Sequence, residues 1–226
     1  MNCLWCDQKM IIEMSWKNLI MLPKPKQLCE QCNSELELLM DELCVRCSRM
    51  TKEKICTDCK WWTDQVGSDP LTFNYSVYTY NHQMREMIAK WKYRGDFILA
   101  HAFKEQFIHF FHKKFSPLLE DTLIIPIPLS TERLQERGFN QAKVLADFLP
   151  IENKQIITRI HSEKQSKMTR SERISTRNPF KVEEEINKKV ILVDDIYTTG
   201  TTLRHAATLL KERGCPKVYA YTLIRG

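Results

Sequence analysis

The apolar positions beyond residue 72 fall into two rhythms. FNYSVYTY (73–80) alternates residue by residue, which predicts a strand because successive strand side chains point to opposite faces. In QMREMIAKWKY (83–93), Met84, Met87, Ile88 and Trp91 return every three or four residues, the spacing of one helix face. FILAHAFKEQFIHFFHKKF (97–115) continues as a second helix whose aromatic stripe predicts core packing. The run TLIIPIP (122–128) predicts a strand, followed by a turn and a helix from Gly138 to Leu149 and a short strand, QIITRI (155–160). VILVDD (190–195) opens on an unbroken apolar run, as a strand covered on both faces requires. A helix over 201–213, capped by Gly214, and a strand KVYAYTLI (217–224) complete the pattern. Strands alternating with helices predict an α/β fold: a mostly parallel sheet with helices on both faces.

Residues 1–62 lack both rhythms. They carry eight of the nine cysteines, as four C-x-x-C pairs: Cys3/Cys6, Cys29/Cys32, Cys44/Cys47 and Cys56/Cys59. TDQVGSDP (63–70) has the composition of a linker, so the expected organisation is a cysteine-rich unit over 1–62, a linker over 63–70 and the α/β unit over 71–226. No charged stretch followed by an apolar run opens the chain, and no window reaches the roughly 20 apolar residues of a spanning helix. The expectation is a cytoplasmic protein with no transmembrane segment, whose thiols stay reduced and ligate metal instead of forming disulfides. Thiolates suit Zn²⁺ in a tetrahedral S₄ site, and eight of them complete two structural zinc sites. Sequential pairing (Cys3, Cys6, Cys29, Cys32; then Cys44, Cys47, Cys56, Cys59) is the simplest, and an interleaved cross-brace uses the same residues. Redox pairs would sit at the end of a βα unit, which this segment lacks. Cys215 stands apart and reads as a core residue.

The net charge of +6 is concentrated in the α/β unit. RIHSEKQSKMTRSERISTRNPFK (159–181) holds seven Lys/Arg against two Glu, an excess that implies an anionic partner, phosphorylated metabolite or nucleic acid. Trp61, Trp62 and Phe180 can stack on bases but read first as packing.

Candidate chemistry lies in VILVDDIYTTGTTL (190–203). The strand delivers Asp194 and Asp195 to the carboxyl edge of the sheet, where open α/β sheets bind ligands. Beyond them a turn aims backbone N–H groups at one point, backed by a helix N-terminus. Thr198, Thr199, Thr201 and Thr202 add hydroxyls, and Gly200 permits close approach of a phosphate. An N-cap alone does not explain adjacent like charges, which repel unless a cation or a diol shares them.

This stretch resembles the phosphoribosyl pyrophosphate (PRPP) loop of type I phosphoribosyltransferases. With WKYRGD (91–96), IPIPLSTERLQERGFNQA (125–142), the R-x-x-S-x-x-Q opening of Arg159 to Phe180 and the cysteine pairs, nearly the whole chain is similar to the ComF/GntX family of late-competence proteins. The resemblance implies a double zinc ribbon joined to a type I phosphoribosyltransferase-like domain. Asp194 and Asp195 would hold the ribose hydroxyls, the loop the 5-phosphate, and magnesium the pyrophosphate. Arg133, Arg137, Asn140 and Gln141 would lie on the pyrophosphate side, with Gln165 and Arg173 in a loop that closes over the substrate. It also implies a competence factor that assists uptake or handling of single-stranded DNA. Two other readings accompany it: an active transferase passing phosphoribosyl from PRPP to an acceptor, with Asp194 and Asp195 as its catalytic pair, and a zinc-ribbon adaptor. Partners would include a DNA-translocating helicase or ATPase or a recombination mediator, through which the protein would reach the inner face of the membrane. The pattern departs from the family at Ser162, where Thr is common, and at Thr176, where Asn is common. No base pocket and no general base are legible.

Overall fold

The computed structural model describes residues 1–11, 25–40, 42–160 and 178–226. The strands are β1 (Asn74–Thr79), β2 (Thr122–Pro126), β3 (Ile157–Arg159), β4 (Phe180–Val182), β5 (Lys189–Tyr197) and β6 (Val218–Arg225). The helices are α1 (Glu30–Ser34), α2 (Thr57–Val66), α3 (His82–Tyr93), α4 (His101–Phe115), α5 (Thr131–Arg137), α6 (Gln141–Asp147) and α7 (Thr201–Glu212). Among the described residues one parallel sheet runs β1-β6-β5-β2, and β3 and β4 form a separate antiparallel ribbon. The α/β class expected from the sequence is the class observed. No helix among the described residues is long and apolar enough to cross a membrane.

Period two divides the central strand between two cores. Ile191 and Val193 of β5 pack in one cluster with Met84, Met87 and Trp91 of α3, the phenylalanines of α4, and Val144 and Leu145 of α6. Val190 and Leu192 face the other way, with Leu203, Ala206, Ala207 and Leu210 of α7 and the β3–β4 ribbon. The aromatic stripe of α4 is core: Phe103, Phe107, Phe111 and Phe115 are fully buried. Phe107 stacks on Tyr221 at 4.2 Å between ring centres, and the Tyr221 hydroxyl donates to the Phe107 carbonyl at 2.5 Å. Cys215 is buried as well.

Two helical expectations change: of the helix expected over 97–115, residues 97–100 are a 3-10 turn and α4 begins at His101. The helix expected over 138–149 begins at Gln141, and a further helix, α5, precedes it. Gly138, at φ +78°, is the left-handed cap that ends α5, a role glycine fills without steric strain. The Ser130 side chain caps the start of α5 and the Asn140 side chain the start of α6.

The cysteine-rich segment is packed into the sheet. Residues 37–39 pair antiparallel with the outer edge of β1: Leu38 bridges Tyr78, and the Leu39 N–H donates to the Val77 carbonyl at 2.8 Å. Ser48 joins a buried polar network, donating to the Asn74 carbonyl at 3.0 Å and accepting from the Ser76 N–H at 3.2 Å. Ser76 in turn meets the Thr222 hydroxyl at 2.7 Å. Residues 63–66, within the expected linker, are the last residues of α2.

Because Phe107 fills space between α4 and the Tyr221 ring, Phe107→Ala is expected to lower unfolding stability by about 3–5 kcal/mol. Urea denaturation followed by far-ultraviolet circular dichroism measures it.

Candidate functional site

The cysteines gather in two groups of four, Cys3/Cys6/Cys29/Cys32 and Cys44/Cys47/Cys56/Cys59, each with its sulfurs within 4.8 Å of one another. The pairing is therefore sequential. Both groups are built alike. The first C-x-x-C of each forms a knuckle closed by a residue in left-handed conformation, Asp7 at φ 61° or Ser48 at φ 58°. Its N–H donates to the carbonyl of the first cysteine at 3.0 Å in both. The second pair starts a helix, with Cys29 and Cys56 as N-caps. Backbone N–H groups donate to the sulfurs, among them Cys32 to Cys29 at 3.5 Å and Cys56 to Cys44 at 3.3 Å.

Burial raises the Cys3 thiol, but backbone N–H groups of Cys6, Cys29 and Trp5 draw it down to about 6. The Cys59 hydrogen bond brings Cys47 to about 5 against burial, with help from the Arg225 charge. Cys32 is pushed up by burial and by hydrogen bonding to its neighbours, and Cys59 by its hydrogen bond to Cys47 and by burial. Four thiolates this close cannot all ionise unaided; a divalent cation removes the conflict, so the donor set fits Zn²⁺.

The second candidate centre is a cavity of about 320 Å³ at the carboxyl edge of the sheet, between the ends of β2 and β5. The helix α6 that follows β2 packs mainly on one face and α7, which follows β5, on the other. The cavity thus occupies the point where the windings diverge, the usual place for ligands in open α/β sheets. Asp194, Asp195, Thr198, Thr202, Arg133, Arg137, Asn140 and Gln141 all line it. Thr199 and Thr201 instead share a hydroxyl contact of 2.9 Å within the turn. Gln165 and Arg173 lie outside the described residues.

Two cations join the site that the sequence did not single out. Lys92, from α3, forms an ion pair with Asp195, and Arg159 lines the wall. Lys92 lies in WKYRGD and Arg159 opens the basic segment, so both stood in stretches already marked by resemblance. Four cations therefore surround two carboxylates. Burial, then the adjacent Asp195 charge, pushes Asp194 up to about 7, although the Asp195 N–H donates to it at 2.9 Å.

The Asn140 side chain is engaged in structure, donating to the Ile127 carbonyl at 3.0 Å while it caps α6. Arg137 donates to Gln141 Oε1 at 3.0 Å. Arg137 Nε and Gln141 Nε2 are buried without a hydrogen-bond partner among the described residues. Such donors are costly unless a ligand or water meets them.

Beneath the turn that leads from β5 into α7, three consecutive carbonyls are held. Arg225 donates to Tyr197 O at 3.1 Å and Thr198 O at 3.0 Å. Trp62 Nε1 donates to Thr199 O at 3.2 Å and Arg204 to the same oxygen at 3.3 Å. Arg204 also grips Asp69 through two bonds of 3.1 and 2.8 Å, donates to the Tyr197 hydroxyl at 2.8 Å and lies 4.5 Å above the Trp62 ring. Gly200, at φ +76°, has no room for a side chain, because a Cβ would run into the Tyr197 hydroxyl and the Arg204 guanidinium. Its necessity comes from below the loop as well as from any phosphate above it.

Residues 134–226 match the phosphoribosyl transferase domain family. Over nearly its full length the chain is similar to competence protein ComFC of Bacillus subtilis (strain 168), 37% identical over 99% of this chain and 94% of that protein. Competence protein ComFC of Streptococcus pneumoniae is 31% identical over 100% of both chains. The chain belongs to the ComFC family. A DNA utilization protein, YhgH of Salmonella typhi, is 30% identical over 45% of this chain and 48% of its own. The family assignment agrees with the resemblance seen in the sequence, and both halves of the ComFC architecture are present: paired Cys₄ groups and a phosphoribosyltransferase-type fold.

Native mass spectrometry of the intact protein is expected to show two zinc ions, with Cys44→Ser losing one and retaining the other. Asp69→Ala leaves the Arg204 guanidinium buried without its carboxylate and is expected to cost about 3–5 kcal/mol, read by urea denaturation of the zinc-loaded protein.

Proposed function

We propose that the cavity binds magnesium phosphoribosyl pyrophosphate and that the protein uses this ligand while handling single-stranded DNA during competence. The observation that carries the reading is the pairing of two adjacent carboxylates at the end of a buried strand with four cations across a single cavity. A bare carboxylate pair suits a cation or a diol, and a purely cationic pocket suits a phosphate. A ribose that carries phosphate at both ends needs both.

In this reading Asp194 and Asp195 accept hydrogen bonds from the ribose hydroxyls. The 5-phosphate lies over the turn 198–202, facing its N–H groups and the N-terminus of α7. Arg133 and Arg137 face the pyrophosphate, with the unpartnered Gln141 amide as a further donor. Lys92, paired with Asp195, limits repulsion between the acids before the sugar arrives. Magnesium on the pyrophosphate would neutralise part of its charge. The names carried by the relatives, competence and DNA utilization, support the DNA half of the proposal. So does a surplus of basic side chains outside the cysteine-rich segment. A DNA-translocating ATPase or recombination mediator is the kind of protein partner this role calls for.

Titration calorimetry of magnesium phosphoribosyl pyrophosphate between pH 6 and 8 tests the ligand. Asp194, raised to about 7, is protonated at the acid end and must ionise to accept from the sugar. Binding is expected to weaken about tenfold between pH 8 and pH 6 and to release a proton at the acid end, and Asp194→Asn should remove that dependence. Fluorescence anisotropy with a labelled single-stranded oligonucleotide tests the DNA half. Affinity should fall steeply with salt; an absence of binding, or a flat salt response, contradicts it.

A further inference from the structure

Two aromatic rings stand in solvent beside the cavity. Tyr93 is 66% exposed and Phe97 48% exposed, whereas Trp91, two residues before Tyr93 on α3, is fully buried. The inner face of α3 is thus complete without them. Gly95, at φ +67°, turns the chain between the two rings.

Both rings rest on the same turn of the neighbouring segment. The Arg137 guanidinium lies 5.5 Å from the centre of the Tyr93 ring. Phe97 meets Phe139 edge to face at 5.3 Å. Only Gly138 separates Arg137 from Phe139, so both rings lie over the α5–α6 junction. Leu134, 44% exposed, precedes Arg137 by one helical turn on α5.

The patch is bordered by positive charge and continuous with the cavity, because Arg137 belongs to both and Lys92 and Arg133 line the cavity wall next to it. An exposed ring with a guanidinium at its face is the chemistry of sequence-tolerant base stacking, in which π-faces take the bases and cations meet the backbone phosphates. Of the rings that the sequence offered for stacking, Trp62 is 7% exposed and Phe180 3%; Trp61, 38% exposed, meets Trp62 edge to face at 5.2 Å.

We infer that Tyr93 and Phe97 form a stacking platform for the bases of a single-stranded nucleic acid at the mouth of the cavity, whose positive border draws its phosphates. The inference rests on the DNA half of the proposed function and gives it a surface. Single strands are favoured over duplex because a stacking ring needs the face of an unpaired base. An apolar protein segment is the competing occupant.

The test is fluorescence anisotropy of a labelled oligothymidine and of a hairpin duplex with the full-length, zinc-loaded protein. Wild type is compared with Tyr93→Ala/Phe97→Ala and with Tyr93→Phe/Phe97→Trp, and calorimetry with magnesium phosphoribosyl pyrophosphate is run in parallel. The alanine pair is expected to weaken single-strand binding on the order of tenfold or more, while the aromatic pair retains it and metabolite binding stays as in wild type. Equal single-strand binding by wild type and the alanine pair overturns the platform and leaves the proposed function standing. No single-strand binding by wild type overturns the DNA half of that function, and the platform with it. Loss of metabolite binding together with DNA binding in the alanine pair overturns the platform in favour of a structural role for the rings. Equal losses on oligothymidine and duplex overturn it in favour of general electrostatic binding.

Discussion

The guanidinium of Arg204 and the carboxylate of Asp69 are 4% and 2% exposed, so neither has water to solvate it and each depends on the other. Their contact fixes more than itself. It holds Arg204 where it can brace Tyr197, stack on Trp62 and donate to Thr199, and Trp62 belongs to the helix that starts at the second Cys₄ group. Arg225 performs the same service for the two preceding carbonyls and brings its guanidinium to 4.0 Å from Cys47. A trans peptide places its N–H opposite its carbonyl. Holding the carbonyls of residues 197, 198 and 199 on the inner side therefore turns the N–H groups of Thr198, Thr199 and Gly200 outward. The cysteine-rich segment and the turn after β5 are two sides of one packed assembly.

This coupling gives the two Cys₄ groups different neighbours despite their common construction. Cys3 and Cys32 belong to the core that contains α3 and α4, while the second group belongs to the core that contains α7. The first group steadies the outer edge of β1 through the segment that follows it. The second stands behind the turn that joins β5 to α7.

Much of this organisation was legible because it follows from local rules. Alternation identified β1, three-and-four spacing identified α3, and the unbroken run before Asp194 identified the central strand, where both faces are covered. Eight cysteines in C-x-x-C pairs announced metal ligation, but spacing alone left their pairing open; it is decided by contacts between residues distant in sequence. The same limit hid Lys92, which reaches Asp195 across more than 100 positions. It hid the reason for Gly200 too, since nothing local says that Tyr197 and Arg204 will meet under it. The misplaced helix start has a simpler cause: Gly138 was read as opening a helix when its positive φ closes one.

The order of strands carries a kinetic consequence. Strand β6 lies between β1 and β5, so among the described residues the sheet's two parts are joined by a segment synthesised after both. Until Val218–Arg225 has emerged, β1 has no parallel neighbour and the inner edge of β5 stays bare. Both metal groups have all their ligands within the first 59 residues and can close on the ribosome. The turn after β5 cannot, because Arg225 must arrive to hold it. Assembly of the ligand site thus waits on a long-range insertion, the kind of contact that slows folding and leaves strand edges open to wrong partners while it is pending.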